Sequence, residues 1–136
     1  MRCLPALTLN SDMPCWITRE AFLEHFDQAD FLCRESKSVT PTYLAAWFHK
    51  PEDGTTCFLL PTVQFVGGKT QFISGRHRMA VLLPYLQELP IAFSLVNKPP
   101  QDFLSQVILR PLALGKFIEL PDLPIVERIL CGEAEN

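Results

Sequence analysis

Between Phe72 and Val81 an apolar strand end, Phe72-Ile73, runs into Ser74-Gly75, three cationic or potentially cationic side chains follow at once, and a helical apolar pattern then begins. A strand feeding a helix through so short a turn constrains the direction of both elements. Gly75 suits the turn because, lacking Cβ, it lets the backbone bend sharply and a ligand approach closely. The first helical turn leaves backbone N–H groups without intrahelical acceptors and carries the positive end of the helix dipole, so an anion is favoured there. Arg76, His77 and Arg78 sharpen that preference: cations at a helix start are unfavourable by about 0.3 to 1 kcal/mol each at exposed sites, and an anion reverses the sign. The bland alternative is an exposed helix start whose charges are solvated.

The charge distribution agrees with a focused anion site. The chain carries 12 Lys+Arg against 15 Asp+Glu, a net charge of -3, yet no Asp or Glu occurs from Gly54 through Gln87, where Lys69, Arg76 and Arg78 lie. Global acidity argues against non-specific coating of nucleic acid, whose affinity comes from many Lys/Arg neutralising phosphates. With 136 residues, 48% hydrophobic and ten Phe, the chain suits one domain over residues 1–136 with a real core. Cys3, Cys15, Cys33, Cys57 and Cys131 form no C-x-x-C pair and leave one over in any disulfide scheme. With no cleavable signal sequence visible, a reduced, cytoplasmic protein is expected. No apolar run approaches the roughly 18 to 20 residues of a spanning helix, so no membrane insertion is expected.

Local patterns predict short elements separated by the twelve prolines. Thr18 caps a helix running to about Ala29, and Thr40-Pro41 opens a second reaching His49 before a turn at Pro51-Glu52-Asp53-Gly54. Cys57 to Val66 reads as a strand with Pro61 at an edge or bulge, Gly67-Gly68 as a hairpin turn, and Lys69 to Ile73 as the returning strand. Met79, Leu82, Leu83 and Leu86 mark the buried side of the next helix, which Pro84 kinks or shortens. Ile91 to Val96 is expected as strand, Gln101 to Leu109 as helix, Lys116 to Leu120 as strand, and Pro124 to Cys131 as a last helix before a frayed end. The fold class is α+β, a small mixed sheet with flanking helices.

The hairpin, the turn Gly75-Arg76-His77-Arg78, the helix through Leu83 and the strand entry Leu89-Pro90-Ile91 together resemble the ParB/sulfiredoxin superfamily. The resemblance covers about Leu60 to Val96 and implies a ParB/sulfiredoxin-like fold with nucleotide phosphates at the turn. ATP or another nucleotide, with Mg²⁺, is the implied cofactor, and DNA an implied partner of related enzymes. Arg76 stands where sulfiredoxins place their reactive cysteine, which excludes that thiol chemistry. ParB partition clamps carry Glu there and need a helix-turn-helix domain for which this chain has no room. Size and layout are similar to plasmid fertility-inhibition proteins of the oncogenic-suppression type. That similarity implies interference with conjugative DNA transfer, through an ATPase or DNase activity or through a protein partner in the transfer system.

Ser74, Gly75, Arg76, His77, Arg78 and Lys69 are thus the candidate phosphate-binding residues, with His77 and Arg78 as candidate catalytic groups. Each has a plainer reading: Ser74 as a helix cap, His77 as a hydrogen-bonded turn residue, Lys69 as a solvated hairpin lysine. A general base must come from outside the acid-free strip, from Glu35, Glu52 or Asp53, and the last two could also hold Mg²⁺. His25, His49, His77 and the cysteines offer no zinc spacing, so no metal site of that kind is expected. The competing function is a non-catalytic interaction module docking through Phe117, Ile118, Leu120, Leu123 and Ile125, residues that could equally be core. Phe22, Trp47 and Phe48 are expected in the core rather than as a base-stacking platform.

Overall fold

Around the Gly67-Gly68 turn the chain folds as the pattern demands. Both glycines have positive φ, 63° and 79°, and β6 (Thr62–Val66) pairs antiparallel with β7 (Lys69–Ser74) from Val66↔Lys69 onward. Near the other end the register shifts, with Thr62 opposite Ser74 and Val63 opposite Phe72. Ile73 is therefore the extra residue of a bulge, which bends β7 just before the Ser74-Gly75 turn. Helix α3 (Arg76–Leu82) follows, ending at Leu83 ahead of Pro84. The chain then returns as β8 (Glu88–Phe93), parallel to β6.

The computed structural model describes residues 1–9, 12–31, 40–50 and 53–127. The hairpin and β8 belong to a five-stranded mixed sheet in the order β7-β6-β8-β2-β9, completed by β2 (Met13–Thr18) and β9 (Ile108–Pro111). A four-stranded sheet in the order β10-β1-β5-β4 combines β1 (Arg2–Ala6), β4 (Phe48–His49), β5 (Cys57–Leu59) and β10 (Ile118–Glu119). Helices α1 (Arg19–His25), α2 (Gln28–Phe31) and α4 (Gln101–Val107) complete an α+β architecture. Phe22, Phe58, Leu60, Val63, Met79, Leu82, Ile91 and Phe93 are among the core residues buried without residual exposure.

Four expectations are corrected. The apolar run from Cys57 to Val66 is two strands in two sheets: Leu60 N–H still donates to Ala6 O at 2.9 Å, whereas Pro61 O already accepts from Ala92 N–H at 2.9 Å. Pro61 costs no ladder bond there, since it needs only its carbonyl. The first helix stops at Phe26, extended at ψ 154°, because Asp27 Oδ1 accepts from Ala29 N–H (3.1 Å) and Asp30 N–H (3.4 Å) and so starts a new turn. The break lets Phe22, Phe26 and Phe31 meet, with ring centroids 5.0 Å apart for both Phe22–Phe26 and Phe22–Phe31.

The segment expected as a helix from Thr40 to His49 is instead β3 (Tyr43–Leu44), a 3₁₀ turn (Ala45–Trp47) and β4. Tyr43 is wholly buried and donates its hydroxyl to Pro121 O at 2.7 Å, a contact across the chain that outweighs local helical spacing. The last expected helix gives β11 (Ile125–Val126), parallel to β3. Its remainder, 128–131, lies outside the described residues, as do Cys33, Glu35, Glu52, Cys131 and the frayed end. Smaller shifts move the strand expected at Ile91–Val96 to Glu88–Phe93 and divide Gln101–Leu109 into α4 and the start of β9.

Candidate functional site

Gly75 holds the turn where β7 meets α3. Its φ is 95°, in the left-handed region, and a Cβ there would sit 2.5 Å from Pro61 Cα, 2.7 Å from Pro61 Cβ and 2.9 Å from Arg78 Nη2. Glycine is thus required twice, by the backbone angle and by close packing against Pro61 at the sheet-to-sheet crossing. Gly75 is also the N-cap of α3 and has no side chain to cap with, while its carbonyl accepts from Met79 N–H at 2.8 Å. Ser74 is not the cap that its position suggested; its Oγ accepts from Arg78 Nη2 at 3.2 Å.

The two arginines have separate fates. Arg76 reaches back to α2, where Nη2 lies 2.9 Å from Asp30 Oδ1 and Nε donates to Asp30 O at 3.0 Å. Asp30 Oδ2 accepts from Phe72 N–H on β7 at 2.9 Å. One carboxylate therefore joins a helix turn, a strand edge and the start of α3, and the Arg76 charge is compensated inside the protein. The acid-free strip is acid-free in sequence only.

Arg78 is buried, with 7% exposure, against Gly75 and Ser74. Its Nε has no hydrogen-bond partner, and no carboxylate among the described residues lies within ion-pair distance. Burial pulls its pKa down to about 10, still protonated at neutral pH. A guanidinium has five donors, and the neutral Ser74 hydroxyl is a poor match for such a group. His77 is half-buried on the same turn and is engaged by its own surroundings.

Lys69 does not join this cluster. It occupies the hairpin end of β7, and Ser74 the other end, so about 17 Å of strand separates them. Asp53 is exposed on its own turn, where its Oδ1 accepts from Thr55 N–H at 2.9 Å; that hydrogen bond lowers its pKa, and nothing directs it toward Arg78. Among the described residues no group of three or more His, Cys, Asp or Glu is arranged to hold a metal, and no helix is long and apolar enough to cross a membrane. Of the C-terminal apolar residues, Ile118 and Leu120 are core, whereas Phe117 and Ile125 are half exposed. Phe117 carries the Arg2 guanidinium 4.0 Å from its ring centroid.

Sequence reasoning missed Asp30 and Pro61, which lie 46 and 14 positions from the groups they touch, Arg76 and Gly75, and carry no local motif. No family model matches the chain, and neither curated proteins nor solved structures give a match.

Proposed function

We propose that this chain is an anion-binding protein with a ParB/sulfiredoxin-like arrangement, taking the phosphate of a nucleotide such as ATP at the Ser74–Arg78 turn, with Arg78 as its principal ligand. The observation that carries the reading is the Arg78 guanidinium, nine-tenths buried with Nε unsatisfied and no counter-charge among the described residues. A buried charge left without its partner costs about 3 to 5 kcal/mol, so the free protein holds an unfavourable group that an incoming anion relieves. The hairpin–turn–helix–parallel-strand order of β6, β7, α3 and β8 supports the resemblance. Arg76, neutralised by Asp30, plays a structural part.

Binding has more support than turnover. Arg78 would stabilise charge on a phosphoryl group, but Asp53 faces solvent, and Glu35 and Glu52 lie outside the described residues. Interference with conjugative DNA transfer, by nuclease action or by docking on a transfer component, rests on the resemblance alone.

Calorimetry and thermal shift with the four common nucleoside triphosphates, each with Mg²⁺, and with pyrophosphate test the proposal. Binding that is lost in Arg78→Met supports it. Absence of heat and of any shift with all five anions removes it.

A further inference from the structure

At the hairpin end of β7, away from Arg78, a cavity of about 320 Å³ opens between α1, the β6–β7 hairpin and α4. Its floor is aromatic. Phe65 and Phe103 pack with ring centroids 5.3 Å apart, Phe26 and Phe103 at 6.0 Å. Phe65 and Phe103 are only half-buried, so ring surface remains available to an occupant.

Charged side chains of both signs line the cavity, Glu24, Asp27 and Lys69, together with His25, whose Nε2 lies 3.8 Å from Glu24 Oε1. Among the described residues, neither Asp27 nor Lys69 belongs to an ion pair. The Asp27 carboxylate is held in place because Oδ1 accepts the first amides of α2, and its own N–H donates to Thr70 Oγ1 at 2.8 Å, which ties this wall to the hairpin. A fixed carboxylate, a lysine and half-buried phenylalanine rings lining one cavity form a two-sign receptor with an apolar floor.

We propose that this cavity binds a free α-amino acid with an apolar side chain, its carboxylate on Lys69, its ammonium on Asp27, and its side chain against Phe65 and Phe103. The class follows by elimination among charge types. A simple anion leaves the Asp27 carboxylate unanswered, a simple cation leaves Lys69 unanswered, and a neutral apolar molecule leaves both charges unused. A zwitterion with an apolar arm matches Asp27, Lys69 and the phenylalanine floor together. The volume lies at the low end of the roughly 300 to 1,000 Å³ typical of small-molecule sites, which calls for a small occupant. About 17 Å of strand separates Lys69 from Ser74, so the site is independent of phosphate binding at Arg78.

Titration of the full chain with L-leucine and L-phenylalanine, their methyl esters and their N-acetyl derivatives, followed by calorimetry and by chemical-shift changes, tests the proposal. The free amino acids are expected to bind, and each capped derivative to bind about tenfold or more weakly, the loss of one charge-assisted contact. Lys69→Met, at an exposed hairpin position, should lower affinity for the acid to that for the ester and erase the distinction between them. Arg78→Met should leave amino-acid affinity unchanged, which separates this site from the nucleotide reading. Saturation by neither amino acid up to about 10 mM, or equal binding of free and capped forms, overturns the assignment.

Discussion

Asp30 and Arg76, 46 residues apart, form a partly buried pair with Nη2 and Oδ1 2.9 Å apart, and the same carboxylate holds Phe72 N–H on the outer strand of the five-stranded sheet. That contact serves three ends at once. It neutralises one of two arginines at the turn, fastens α2 beside α3, and satisfies a donor on an edge that would otherwise be open to another strand. The neighbouring guanidinium of Arg78 has no such carboxylate among the described residues, and this asymmetry makes Arg78 the stronger candidate for a ligand.

The pair should behave as a unit. A double-mutant cycle with Asp30→Asn and Arg76→Met, read by urea denaturation, is expected to give a coupling energy of about 1 kcal/mol, above that of a solvent-exposed pair at the low end of its range. Arg76→Met should leave nucleotide affinity within about twofold. A tenfold loss would return Arg76 to the ligand set.

Gly75→Ala should be severe. The substitution places a β-carbon 2.5 Å from the Pro61 backbone at a φ of 95°, with no flexible side-chain end to give way on that side. A loss of about 3 kcal/mol or more is expected in the denaturation midpoint. Gly68→Ala at the hairpin, with positive φ but open space around it, should cost less.

How much of this was legible in the sequence depends on range. The Gly67-Gly68 hairpin, the cap at Thr18, the turn at Gly75 and the start of the helix that follows it are each set by a few adjacent residues and appear where the pattern puts them, while that helix ends at Leu82, one residue short of the expected Leu83. The Thr40–His49 segment carries helical spacing of Leu44, Ala45, Trp47 and Phe48, but strand pairing with Ile125–Val126 and Cys57–Phe58 prevails. Nothing local marks Leu60-Pro61 as a crossing between sheets. At the site, the cluster of cations was readable, while the division of labour between Arg76 and Arg78 was not. It depends on Asp30, delivered by the chain break at Asp27.

Asp12 offers a test of pH dependence. It is 5% exposed, both carboxylate oxygens lack partners, and burial raises its pKa above the ordinary value of 3.8. Because the folded-state pKa exceeds the unfolded one, the folded protein is favoured at low pH and loses that advantage as pH rises through the folded value. Asp12→Asn should therefore stabilise the protein at pH 7 by about 1 kcal/mol, because it removes the buried charge while leaving a polar amide in its place. The gain should shrink toward zero below pH 3.8 in a thermal-melt series. A constant difference across pH would assign the effect to packing instead.

The thiols should separate by burial. Cys3 and Cys15 are buried, with pKa values pushed up to about 11 and about 12, whereas Cys57 is half-buried. Iodoacetamide at pH 8, with site-resolved peptide mass analysis, should label Cys57 well before Cys3 or Cys15, and all three at comparable rates in denaturant.

The most direct measurement compares the thermal unfolding of the wild-type chain and Arg78→Met, each with and without nucleoside triphosphate. If Arg78 is kept for a ligand, the substitution leaves the unliganded protein as stable or more stable, because an uncompensated buried charge is gone, and it abolishes the rise in melting temperature with nucleotide. If instead Arg78→Met melts well below wild type while nucleotide still raises the melting temperature of both, Arg78 is a structural residue and the central claim is contradicted.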